Sequence, residues 1–490
     1  MKKLILGIAL SLLTCVTVYA QQYMYGTTYE GGANGLGTIY RVDQNGMNFQ
    51  KMYDFNSNDG GKPLSGLTLA NGKLYGFTTF GGPASNPGAT VSLGSFFEFN
   101  LLTNSLTVIK SIDDKSEIGH TFHNSPLLTT DGSLYFASQG VGWQNKSVLS
   151  KYNPVSSTIT VLDTLNSAKG SIKAKLMQAS NGHIYVTTAN GNANSYGGVI
   201  RWNTISNQIE VLHSSQGPNF GGPHEYYNSI NQLLEGSDSS LYGLSLYGGL
   251  ATGTNNQGVG CFFKIELDGT GYVSLNLFNV GVQDEGYLPY GGLVEKNGVI
   301  YGTASEEDNL NVNSGTLFSY TLSNGIFDFI YTLDLEGTRP KGTLTESPNG
   351  RFYFTTTGEP SINSGNLIEF NPVNGAVTQR YSFGASNGVR PYYDDLAVVD
   401  FNAVSVDETS LIDDFVKTYP NPVQDIINIK ISGSNKIEAI KILDLKGSEL
   451  YIDESKTKES FINTSFLSSG VYLLYIKTNT GSTTRKIIKE

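Results

Sequence analysis

Along most of this chain short apolar-rich runs are separated by clusters of Gly, Asn, Asp and Ser. Lys73-Leu-Tyr-Gly-Phe-Thr-Thr79 and Ser95-Phe-Phe-Glu-Phe-Asn100 are examples, each suited to a strand with one buried face. No segment sustains an apolar period of 3.6, so helices are not expected. Residues 64–112 set the order: strand A at Leu64–Ala70, an Asn71-Gly72 turn, strand B at Lys73–Thr79, and a loop rich in Gly, Asn and Ser. Strand C at Ser95–Asn100, a turn near Thr103-Asn104 and strand D at Leu106–Ile112 complete the unit.

The unit recurs. In place of Tyr75 stand Tyr25, Tyr135, Tyr185, Tyr242, Tyr301 and Tyr353, at spacings of 50, 60, 50, 57, 59 and 52 residues. Asp131-Gly132, Asn181-Gly182, Asn297-Gly298 and Asn349-Gly350 supply further A–B turns, because these dipeptides accept the positive φ of two-residue hairpins. Four short antiparallel strands repeated at this period predict an all-β fold, a seven-bladed β-propeller of four-stranded blades over residues 21–400. The chain enters at strand B (Tyr23–Thr28), and a spare A strand remains near Tyr392–Val399. It is predicted to join the first blade and close the ring.

Composition shifts after Asp400. Residues 401–417 hold neither Gly nor Pro and read as a linker, and residues 418–490 carry strand and turn signals that predict a small C-terminal β-sandwich. Residues 1–20 have a charged start at Lys2 and Lys3, an apolar run from Leu4 to Val18 and small residues at Ala20, the pattern of a cleaved signal peptide. A lipid-anchored reading at Cys15 is weakened by Leu12-Leu13-Thr14, which lacks the small residue such a site needs before the cysteine. Cleavage after Ala20 leaves Cys261 alone, expected to be a small buried strand residue without a disulfide.

Two resemblances follow from the wording of the chain. Tyr25-Gly-Thr-Thr-Tyr-Glu-Gly-Gly-Ala-Asn-Gly-Leu-Gly-Thr-Ile-Tyr40 resembles the GloVer-type tandem repeats of bacterial surface and secreted proteins, a resemblance extending over roughly residues 23–400 and weakest in the third unit. That family is named for a repeat and implies no activity. Tyr419-Pro420-Asn421-Pro422, Asp444-Leu-Lys-Gly447, Ser469-Gly470-Val-Tyr472 and Lys486-Ile-Ile-Lys489 resemble, in order, the type A C-terminal sorting domain of the type IX secretion system of Bacteroidetes. The resemblance implies the type IX machinery as a partner and a secreted or outer-surface location. It also implies removal of the tail near the linker, with the product released or attached at the outer membrane.

The net charge is −11; the tail contributes +2 and Lys2 with Lys3 another +2, leaving −15 on residues 4–417. An acidic body excludes nucleic acid, whose phosphates need a basic footprint. Function is expected where the long B–C loops and D–A connections open, opposite the tight A–B and C–D turns. Trp143, Tyr226 and Tyr227 there are candidates to stack on sugar rings, as are Tyr287 and Tyr290. Asp284 and Glu285 lead the acidic candidates, and His120, His123 and His224 could supply a base or hold a metal. No ligand spacing specifies a metal, no cofactor motif is present and no catalytic residue stands out. The reading is a binding module for a glycan or surface partner, with a secreted glycosidase or polysaccharide lyase, or a structural and adhesive protein, as alternatives. The seven repeat tyrosines are expected to be structural.

Overall fold

A computed structural model describes residues 22–490 except 84–90, 115, 141–146, 195, 216–225, 228–231, 249–259, 279–285, 308–314, 334–338, 359–363, 393–394, 401–415, 432–435, 445–448, 454–456, 458 and 479–480. For residues 226, 227, 286, 287, 306, 307, 481 and 482 the description stops at the backbone. Among the described residues every element is a strand, and seven four-stranded antiparallel sheets precede the tail. In the second sheet Thr68–Ala70, Lys73–Phe77, Ser92–Asn100 and Ser105–Asp113 lie in chain order. The first sheet is assembled from both ends of this region: Ala397–Asp400 pairs antiparallel with Gln22–Thr28, setting Val398 against Met24 and Ala397 against Tyr25.

Packing closes the array. Phe55 and Ile39 of the first sheet share a core with Leu74, Phe97 and Phe99 of the second, and each later sheet packs on the next in the same way. The seventh returns to the first through Tyr353, Leu367 and Phe383 against Met24, Tyr40 and Val42. Aromatic rings carry much of the contact: Phe77 stacks on Phe122 at 4.0 Å and 6° and meets Phe136 edge-on at 5.2 Å. Such pairs add about 0.5–1.5 kcal/mol each beyond the area they bury. Cys261 is fully buried in the core between the fourth and fifth sheets.

Two features depart from the periodic reading. Inner strand A is shorter than the apolar run at Leu64–Ala70 predicts, because Ser65, Gly66 and Leu67 leave the ladder to pack where inner strands converge. A Cβ on Gly66 would stand 2.2 Å from the Asp395 carbonyl oxygen. Secondly, every C–D pair contains a β-bulge at the same register, between Ile39 and Tyr40, Phe96 and Phe97, Leu149 and Ser150, Val199 and Ile200, Phe262 and Phe263, Leu317 and Phe318, and Leu367 and Ile368. A bulge strengthens the local twist, which suits strands splayed towards the outside of a ring. The extra residue is Met52, Ile109, Leu162, Leu212 or Leu275 in the first five sheets, and each packs against an inter-sheet core.

The tail is two sheets over one core. Val416–Tyr419, Ile426–Ile431 and Glu459–Asn463 form one, and Glu449–Asp453, Ile437–Leu443, Gly470–Thr478 and Gly481–Lys489 the other. Ile427, Ile440, Ile476 and Ile487 are fully buried between them. Its first strand begins at Val416, two residues inside the expected linker; residues 401–415 lie outside the described residues.

Candidate functional site on the long-connection face

The two ends of the ring are built by different rules. On the side of the tight turns, each repeat tyrosine stands across the B–C ladder from a polar residue: Arg41, Glu98, Lys151, Arg201, Lys264, Ser319 and Glu369 face Tyr25, Tyr75, Tyr135, Tyr185, Tyr242, Tyr301 and Tyr353. The hydroxyls of Tyr25, Tyr75, Tyr242 and Tyr353 meet these partners or the A–B turn, and that of Tyr185 also reaches the Leu267 carbonyl of the next unit. Tyr242 donates to Asp238 Oδ2 at 2.8 Å and Tyr353 to Glu369 Oε2 at 2.6 Å, while Asn181 Nδ2 donates to the Tyr185 hydroxyl at 2.8 Å. Burial first, and then a neighbouring carboxylate (Glu98, Asp238 and Glu369 respectively), pushes the phenols of Tyr75, Tyr242 and Tyr353 well above the ordinary tyrosine value. They stay protonated and act as buried hydrogen-bond donors. This lattice is structural.

On the opposite side the D–A connection of each unit pairs with the chain just leaving strand B. Glu30 bridges Val389, Gly61 bridges Phe80, His120 bridges Gln139, Ile172 bridges Thr188 and Pro340 bridges Thr356. In the fifth and sixth units Tyr226–Tyr227 pairs with Tyr247–Gly248 and Gly286–Tyr287 with Glu306–Glu307. A left-handed residue before a proline makes the turn possible at Lys62 (φ 55°), Leu288 (52°), Arg339 (57°) and Arg390 (55°). Such backbone costs a residue with a Cβ about 1–2 kcal/mol. The return is a carbonyl aimed at the exit of strand B: Tyr29 N–H donates to Arg390 O at 3.0 Å, and Thr79 Oγ1 donates to Lys62 O at 2.7 Å.

Beyond these turns the chains converge on one carboxylate. Asp395, which leads into the inner strand of the first sheet, accepts from Lys175 Nζ at 2.6 Å, Thr343 N–H at 3.2 Å and Ser125 Oγ at 3.5 Å. Those partners enter the fourth, seventh and third sheets, and Gly66 of the second touches its backbone. Residues from five sheets can meet this closely only near the ring axis. The Lys175 and Asp395 side chains are 19% and 13% exposed. Burial by itself would raise the Asp395 carboxyl, but the Lys175 charge and its hydrogen bonds outweigh it and hold the group below the usual carboxylate range.

Around this point runs a row of aromatic rings and cations. Lys341 Nζ lies 4.6 Å from the centre of the Tyr290 ring and 4.9 Å from that of Tyr392. Tyr392 meets Tyr29 at 5.5 Å, Lys62 Nζ stands 5.5 Å from Tyr29 and 5.8 Å from the half-exposed Phe80. Glu30 is shared by Lys62 at 3.5 Å and Arg390 at 3.3 Å. The row crosses the sixth, seventh, first and second units in succession.

Of the residues singled out by sequence on this face, Tyr290 lies in the row above, and His120 and His123 are described too. They do not form a catalytic pair: His120 Nδ1 is 3.0 Å from Thr121 Oγ1 and His123 Nε2 is 2.8 Å from Gln139 Oε1. Burial pushes the His123 imidazole below its ordinary value, so it is neutral at pH 7. Tyr226 and Tyr227 lie in the backbone pairing above. Trp143, His224, Asp284 and Glu285 lie outside the described residues. No three His, Cys, Asp or Glu residues gather in a metal-binding group among the described residues. Sequence reasoning named Tyr290 but missed Lys62, Lys341, Tyr392, Lys175 and Asp395. A signal existed in the recurring Lys62-Pro63, Arg339-Pro340 and Arg390-Pro391.

In the tail, separated motif pieces meet. Asn421 Nδ2 donates to Lys486 O and Ile488 N–H donates to Asn421 Oδ1, both at 2.8 Å, so the Tyr419–Pro422 segment clamps the last strand near Lys489. Tyr472, two residues beyond Gly470, donates to Ser468 O at 2.9 Å and packs against the tail core. Gly447 lies outside the described residues.

Comparison with known proteins agrees with this division. Residues 121–339 match the Gloeobacter/Verrucomicrobia repeat, and residues 417–490 match the secretion system C-terminal sorting domain. The repeat match is narrower than residues 23–400 and includes the third unit while leaving out the first. No curated protein matches the chain in sequence. Among solved structures, the periplasmic gluconolactonase of Pseudomonas aeruginosa is 17% identical with a TM-score of 0.51, covering 77% of this chain and 99% of its own. A proposed 6-phosphogluconolactonase of Bacteroides uniformis is 13% identical with a TM-score of 0.52, covering 78% and 100%. At such identity the likeness is one of fold, that of an all-β propeller.

Proposed function

Because this chain carries the Gloeobacter/Verrucomicrobia repeat and ends in a secretion-system sorting domain, and is thus a secreted or outer-surface protein, we propose that its seven sheets are the blades of a seven-bladed display scaffold. Residues 1–20 direct export from the inner membrane, the tail engages the type IX machinery, and residues 21–400 bind a glycan through the long-connection face. The supporting observation is the row Tyr290, Lys341, Tyr392, Tyr29, Lys62 and Phe80. It places rings and cations from four units side by side, beside connections that differ from unit to unit. Aromatic faces stack on the C–H faces of sugars, and cations fix orientation.

The test is a glycan array probed with the exported protein, with mass spectrometry of every glycan retained. Retention without cleavage supports a binding module. Cleavage would make the protein an enzyme, and an empty array would point to a protein partner. On the tail, Asn421→Ala removes the clamp on the last strand and is expected to reduce the fraction of protein reaching the medium or outer surface. Unchanged export would remove Asn421 from the sorting signal.

A further inference from the structure

Charge along the row narrows the ligand class. Residues 4–417 carry a net −15, yet Lys62, Arg339 and Arg390 recur at matching places before a proline in the D–A connections entering the seventh, first and second units, and Lys341 follows in the seventh. Among the described residues Glu30 sits between two of these cations, Lys62 and Arg390. A neutral sugar needs rings and hydrogen-bonding groups but gains little from cations, whereas a sugar bearing a carboxylate gains from both. Geometry adds to this. Lys341 lies over two tyrosine rings and Lys62 over Tyr29 and Phe80, so each ammonium is held among aromatic rings. The left-handed backbone at Lys62, Arg339 and Arg390 is tied by hydrogen bonds to the exits of strand B, so the cations emerge from fixed positions.

We infer that the long-connection face binds an acidic saccharide, with Lys341 and Lys62 receiving its carboxylates and Tyr290, Tyr392, Tyr29 and Phe80 bearing the rings. This rests on the glycan-binding reading above and sharpens it.

The experiment measures binding of the full exported chain to an oligomer of β-1,4-linked glucuronic acid and to the matching glucose oligomer. The two differ only in carboxylate against hydroxymethyl at each ring. The acidic oligomer is expected to bind about tenfold tighter or more, with the advantage shrinking as salt rises from about 0.05 to 0.5 M. Lys341→Met should remove most of that preference, and Lys341→Arg should retain it. Lys62→Met, at the other end of the row, is a second variant should the first lower the melting temperature. Equal affinity for the two oligomers, or an undiminished preference in both Met variants, would overturn the inference. If neutral glycans bind with no acidic preference, this inference fails while the glycan reading stands; if neither oligomer nor any array glycan binds, both fail.

Discussion

The turn face and the connection face use the same kinds of residue to opposite ends. On the turn face a tyrosine and a facing polar residue recur in all seven units, and repetition makes them a lattice with no unique point. Among the described residues of the connection face the Lys175–Asp395 pair occurs once, and the row from Tyr290 to Phe80 crosses four units. A repeat supports symmetry, but a ligand that is not seven-fold symmetric needs an asymmetric surface. The difference separates scaffold from candidate site without appeal to any relative.

The largest way to break the contrast lies at the axis. Asp395→Ala would leave the Lys175 ammonium mostly buried without its counter-charge, a loss of about 3–5 kcal/mol for such a pair, read from urea unfolding. A loss below about 1 kcal/mol would show that the axis is not held by this pair. Acid sharpens the same point. The folded Asp395 carboxyl titrates below its unfolded value, so its stabilisation is present above the unfolded value near pH ~3.9 and is lost as pH falls through the folded one. Asp395→Asn should therefore unfold with a shallower acid dependence than the parent; an identical acid limb would argue against it.

On the turn face effects are smaller and graded. Glu369 is buried and accepts from Tyr353 at 2.6 Å and from Arg380 Nε at 2.8 Å, with Arg351 also bound. Glu369→Gln should cost about 1–3 kcal/mol by denaturant unfolding. Tyr75→Phe removes one hydroxyl bond to Glu98, 3.4 Å long, and should cost about 0.5–1.5 kcal/mol. The smallest change is Tyr301→Phe, within about 0.5 kcal/mol, because uncharged Ser319 faces it and the ring is only half-buried. Equal losses at Tyr75 and Tyr301 would show that the facing charge does not matter.

Much of the scaffold was legible because it is local. Short apolar runs between turn residues mark strands, Asn-Gly marks the hairpins, and the spare strand near Val399 was identifiable by counting strands. The bulges were not legible, since one extra residue in strand D leaves its apolar character intact; only the register against strand C shows Met52 or Leu162 unpaired. The members of the aromatic and cationic row were not legible. Histidines and acidic loop residues attracted attention because their chemistry is versatile, yet His123 is neutral and bonded to Gln139. Lys341 and Tyr392 are 51 residues apart in sequence and look ordinary there, and nothing in the chain order announces that one covers the other.

By itself, then, the sequence determined the strand content, the repeat, the pairing of the two ends of the ring and the sorting tail, because each is encoded in neighbouring residues or in a fixed period. Only the tertiary structure decided that Lys175 meets Asp395, 220 residues away, and that the cations of separate units line one mouth. Those contacts arise from closing sheets around an axis. Closure brings the entries to the inner strands within a few ångströms of one another whatever their separation along the chain.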